Sequence, residues 1–91
     1  MEARLLEVSE SAKKGDKAVL EKIFALNNEI GWAYRNFASL EQGLFEFQTN
    51  VNLITMNVKR GEWSRAREAL EASSRAFEDM KAAYLAPKKD L

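Results

Sequence analysis

The feature that most constrains this chain is an apolar series running through its middle. Ile23, Leu26, Ile30, Ala33, Phe37, Leu40, Leu44, Phe47, Val51, Ile54 and Val58 follow one another at intervals of three and four residues. A strict 3.5-residue average is the signature of helices packed in a left-handed, coiled-coil-like way. The chain must therefore supply a helical seam of about five heptads and something to cover it. Gly31, Gly43 and the Asn27-Asn28 pair are helix-weakening signals. The phase of the series runs through all three, which favours one helix over residues 17–59, with a kink at Gly31 or Gly43 as the alternative. Val51 to Val58 is rich in β-branched residues, yet no second strand-like run exists to pair with it.

The flanks supply the cover. Leu5, Val8 and Ala12 form one stripe of a short helix over residues 2–14, and Gly15 ends it from a position where a left-handed backbone suits glycine. Asp16 is the candidate N-cap of the helix that follows. Lys59-Arg60-Gly61-Glu62 repeats the chemistry of Lys13-Lys14-Gly15-Asp16 and marks a second αα-hairpin turn. Beyond it, Trp63, Ala66, Leu70, Ser73, Phe77, Met80 and Tyr84 continue the spacing of three and four in a helix over residues 62–86. Pro87 forbids its continuation and leaves a tail over 87–91. The expectation is an all-α single domain of three helices, short, long and medium, in antiparallel hairpins.

The charges say where a partner belongs. From Ile23 to Val58 only Glu29, Arg35, Glu41 and Glu46 are charged, and the same stretch holds all six asparagines. A solvated hairpin normally carries Glu, Lys and Arg beside its seam. Phe24, Trp32, Phe45, Leu53 and Met56 lie off the seam altogether, so the central helix has a second apolar side. An unbroken helix of about 43 residues would be roughly 65 Å long, whereas a compact chain of this size has a radius of gyration near 12 Å. Helices one and three can fold back along its two ends, and a homodimeric helical bundle would cover the second side. Those five residues are the candidate interface. The function expected is a non-enzymatic interaction or assembly module, an adaptor or regulatory subunit acting on another protein by helix–helix packing.

Composition narrows the alternatives. Fourteen basic residues balance fourteen acidic ones, so no global field draws in nucleic acid or an anionic membrane. No apolar run reaches the roughly 20 residues a membrane span needs, and no secretory signal opens the chain. The absence of cysteine excludes disulfides and fits the cytoplasm. The absence of histidine removes the usual general base and the commonest metal ligand. No cofactor is expected. Lys88-Lys89-Asp90-Leu91 faintly matches a retention tail and reads as a frayed end.

Several motifs have a functional and a structural reading. Gly61-Glu62-Trp63, with Ala66 and Leu70, resembles the turn and second helix of a tetratricopeptide hairpin over less than a fifth of the chain; Asn50 stands where that family's first helix has a large aromatic. Glu7 and Glu10, like Glu68 and Glu71, are spaced i, i+3, and each pair resembles half of the Mg²⁺ motif of all-α nucleoside triphosphate pyrophosphatases. A Mg²⁺-dependent nucleotide hydrolase is thus one alternative, with a salt-laddered surface as the plainer account. A small helical secretion-system chaperone or substrate is another; length agrees, but the Trp-x-Gly turn of the best-known such family is missing. Trp32 and Tyr34 could stack on a ligand or pack at an interface. Trp63 reads as a core anchor. Basic groups at both turns, Lys13, Lys14, Lys17 and Lys22, then Lys59, Arg60, Arg65 and Arg67, could hold a phosphate, but Asp16 and Glu62 already occupy those helix starts.

Overall fold

The computed structural model describes residues 1–85, so the expected stop at Pro87 and the tail lie outside the described residues. It is all-helical: α1 spans Glu2–Lys13, α2 Val19–Asn36, α3 Glu41–Lys59 and α4 Trp63–Leu85, with a 3₁₀ turn at Ala38–Leu40 between α2 and α3. The described residues measure 49 × 21 × 19 Å, with a radius of gyration of 13.6 Å.

The expectation of one helix over 17–59, and hence of three helices in all, is corrected to four. The break falls at neither Gly31 nor Gly43 but at Phe37, whose backbone leaves the helical region at φ −133°, ψ 68°. Asn36 is the last residue of α2, and its Nδ2 donates to the Trp32 carbonyl at 2.8 Å. The phase survives because the interruption is small. The Phe37 amide still reaches the Ala33 carbonyl at 2.8 Å, and the Leu40 amide reaches Phe37 O at 2.9 Å. Breaking here turns the Phe37 ring toward Trp32 and Tyr84, at centroid distances of 5.5 and 5.7 Å in edge-to-face contact. Gly43, inside α3, has a different use. A Cβ there would lie 3.1 Å from Met80 Cγ, so the bare backbone lets α4 approach.

Each half of the broken helix carries its own hairpin, α1 on α2 and α4 on α3. The start of α1 and the end of α4 meet over the break, where Lys81 Nζ donates to Glu2 Oε1 at 3.3 Å. Both hairpin turns use one geometry. After α1 the Gly15 amide bonds Ala12 O at 3.2 Å and the Asp16 amide bonds Ser11 O at 3.0 Å; after α3 the Gly61 amide bonds Val58 O at 3.0 Å and the Glu62 amide bonds Asn57 O at 2.8 Å. This is the Schellman arrangement, which needs a left-handed residue at its glycine. Gly15 and Gly61 have φ of 67° and 76°. The α2 start differs slightly from expectation. Asp16 accepts from the Ala18 amide at 2.9 Å, and regular helix begins two residues past the expected Lys17, at Val19.

These turns give a direct prediction. A Cβ at Gly61 would meet nothing within 4 Å, so Gly61→Ala adds no clash and its whole cost is conformational. We expect a loss of about 1–2 kcal/mol in urea-unfolding free energy. An unchanged midpoint would show that this turn does not hold the left-handed conformation.

The core is the seam expected from the spacing. Ile23, Leu26, Ile30, Ala33, Leu44, Phe47, Val51, Ile54 and Val58 are buried, joined by Leu5, Val8 and Ala12 from α1 and by Ala66, Leu70, Phe77 and Met80 from α4. Phe37 and Leu40, at the break, are half-buried and packed against this cluster, as is Trp63. Ser73 is buried too and donates its hydroxyl to Ala69 O at 2.8 Å. Tyr84, expected on the α4 seam, is instead exposed, because α4 has there run past its partner helix to the break.

Candidate interaction surface

The five residues singled out off the seam are all exposed: Phe24 by 70%, Trp32 by 53%, Phe45 by 64%, Leu53 by 40% and Met56 by 46%. Helical geometry explains why. Each lies roughly 140–160° around its helix from the buried stripe, at 100° per residue, and so points away from the covering hairpin partner. Phe24 and Trp32 share the outer side of α2 with Asn28, in an i, i+4, i+8 row. Phe45, Leu53 and Met56 share the outer side of α3 with Gln42, Thr49 and Asn52, which are also exposed.

What accompanies these side chains matters as much. Of the 19 residues of α3 only Glu41, Glu46 and Lys59 are charged, whereas the 23 residues of α4 carry Arg65, Arg67, Glu68, Glu71, Arg75, Glu78, Asp79 and Lys81. The α4 surface is a solvated one. The α3 surface lacks the charges that would oppose its removal from water. Several polar side chains of the central segment also spend a donor on their own helix: Thr49 Oγ1 donates to Phe45 O, Asn50 Nδ2 to Glu46 O, and Asn57 Nδ2 to Leu53 O, at 2.8, 2.9 and 2.8 Å. Together with Asn36 on Trp32 O, such bonds end on the carbonyls of three of the five exposed apolar residues. A side chain bonded in this way can be covered without leaving that donor unpaired.

A second apolar feature lies at the break. Trp32, Phe37, Leu40, Leu44, Phe77, Met80 and Tyr84 line an open groove of about 670 Å³. Its rim is polar and charge-balanced. The N-terminal ammonium meets Glu29 Oε1 at 2.8 Å, and Arg4 bridges Glu29 and Glu7 at 3.0 and 2.9 Å. The spacing could not reveal this groove, since it is made by a break that leaves the phase intact. The exposed Leu6 was legible in principle, as a leucine off the Leu5, Val8, Ala12 stripe.

Tyr34 and Glu29, both near the break, are perturbed in opposite directions. Tyr34 is half-buried, and burial, aided by the charge of Glu41, pushes its phenol up. Tyr34 points about 200° around α2 from Trp32, so the two do not form one stacking platform. The hydrogen bond from the N-terminal ammonium, with its charge and Arg4 adding to it against some burial, holds the Glu29 carboxyl below the ordinary carboxylate range. A carboxylate stabilised in the fold contributes above its unfolded pKa of roughly 4.3 and loses that contribution as pH falls through the lower folded value. Glu29 is about one-third exposed, so screening holds the effect under about 1 kcal/mol. The expected result is that Glu29→Gln narrows the stability difference between pH 6 and pH 3 in chemical denaturation. An identical pH dependence in both proteins would contradict the pairing.

The other candidates stay apart. Glu7 is engaged by Arg4, while Glu10, Glu68 and Glu71 are exposed. Among the described residues no group of three or more Asp, Glu, His or Cys side chains is placed to hold a metal ion. Lys13, Lys14, Lys17, Lys59, Arg60, Arg65 and Arg67 are exposed around the two turns, and Lys22 is half-buried. No helix among the described residues is long and apolar enough to cross a membrane. No protein-family model matches the chain, and no significant similarity joins it to a curated protein or a solved structure.

Proposed function

We propose that this chain is a non-enzymatic helical interaction module, an adaptor or regulatory subunit, that works as a homodimer assembled through its central segment. The observation that carries this reading is the exposure of Phe24, Trp32, Phe45, Leu53 and Met56 beside a fully formed core. The break at Phe37 rules out a 65 Å rod, and what calls for a partner is the apolar, charge-poor outer side that the two hairpins leave uncovered. Aromatic and methionine side chains in such a setting are the usual anchors of protein–protein contacts. Helix packing against helix is the chemistry this surface supports, with a second protein held by the part of the surface that self-association leaves free.

Mass action supplies the test. A dimer that binds the folded state and not the unfolded one makes the melting temperature rise with protein concentration. Thermal unfolding at about 5 and 500 μM should show the higher midpoint at the higher concentration. Superimposable curves would contradict homodimerisation.

A further inference from the structure

The outer side of α3 carries a second heptad series, distinct from the buried one. Gln42, Phe45, Thr49, Asn52, Met56 and Lys59 follow at intervals of three, four, three, four and three residues, and every one is exposed. This spacing keeps the six side chains on one face of α3, as the contact positions of a two-helix coil are kept, with Phe45 and Met56 as the apolar members and polar residues at the centre and the ends. Its ends differ in sign: Glu41 and Glu46 lie at the N-terminal end, Lys59 and Arg60 at the C-terminal end, with no charge on the series between.

We infer that α3 pairs through this face with α3 of a second copy of the chain, antiparallel, about a two-fold axis passing between Asn50 and Val51. This rests on the dimeric reading above and adds the surface, the direction and the register. Charge complementarity selects the occupant. In the antiparallel arrangement Glu41 comes opposite Arg60 of the second copy, and Gln42 opposite Lys59, so each acidic end meets a basic one. In a parallel arrangement the acidic ends would face each other, and so would the basic ones. The same register sets Phe45 against Met56, an aromatic–thioether contact made twice by symmetry. Thr49 meets Asn52 beside the axis. Thr49 can be covered there because its hydroxyl already donates to Phe45 O, and a polar layer between the two Phe45–Met56 layers helps to fix register. Phe24 and Trp32, on α2, lie outside the pairing and remain open to another protein.

The chain contains no cysteine, so single cysteines report the register directly. Gln42→Cys and Lys59→Cys are mixed in equal amounts at a concentration where wild type is dimeric, oxidised gently, and the products weighed by mass spectrometry. Opposed residues come within disulfide reach, whereas two copies of position 42 would lie about 26 Å apart along the helices. The mixed 42–59 disulfide should predominate several-fold over both symmetric products. Predominance of 42–42, or a statistical mixture, from a protein that retains the dimer mass would overturn the register and leave the homodimer standing. A monomeric mass for wild type at all concentrations would instead overturn the homodimer itself.

Discussion

Phe47→Ala will cost the fold about 3–5 kcal/mol, the usual range for emptying a buried phenylalanine site. Phe47 is fully buried on α3, and its ring packs at 5.4 Å from that of Phe77 on α4. That contact joins the two longest helices of the molecule. A domain of this size has a total stability on the order of 5–15 kcal/mol, so the variant keeps little margin. Its melting temperature should fall by about 20 °C. Phe47→Leu retains most of the volume and should cost about 1.5 kcal/mol or less. The measurement is urea unfolding of the three proteins followed by circular dichroism. A loss below about 1 kcal/mol for the alanine variant would place the ring outside the core.

Two residues earlier on the same helix, Phe45→Arg will leave the fold intact and weaken self-association by about 100-fold or more. Phe45 is mostly exposed, and substitutions at such positions usually move stability by no more than about 0.5 kcal/mol. In the proposed pair it is covered twice, once per copy. Losing about 1.5 kcal/mol of apolar burial at each site gives about 3 kcal/mol, or roughly two powers of ten in the dissociation constant. The new guanidinium also faces the basic end of the second copy, which adds to the loss. Sedimentation equilibrium of both proteins measures it, with Arg67→Glu on the solvated face of α4 as the control that should change nothing. An unchanged association constant for Phe45→Arg would remove α3 from the interface.

The contrast between Phe45 and Phe47 shows what the sequence made legible. Membership of the seam decided which phenylalanine is buried, because a 3.5-residue period assigns faces whatever the tertiary detail. The same logic placed nine of the eleven seam residues from Ile23 to Val58 in the core, with Phe37 and Leu40 half-buried at the break, and put Phe24, Trp32, Leu53 and Met56 outside it. Gly15 and Gly61 were legible because a left-handed position after a helix suits glycine. The break at Phe37 was not. It consumes one irregular residue and one 3₁₀ turn, keeps the Ala33 and Phe37 carbonyls bonded, and so leaves no mark on the period. The glycines that seemed to threaten the helix sit inside it, and Gly43 is there to admit Met80. With the break went the groove, the displacement of Tyr84, and the meeting of Glu2 with Lys81, which depend on contacts between residues far apart in the chain.

In the proposed assembly the exposed side of the central segment joins two copies of this chain. One helix face is a small interface, of the class that gives weak and concentration-dependent association. The decisive measurement is therefore the solution mass by light scattering on a sizing column, loaded from about 5 to 500 μM to span micromolar affinities. The expected mass rises with loading toward twice 10.4 kDa. A mass that stays at 10.4 kDa across the whole range would contradict it.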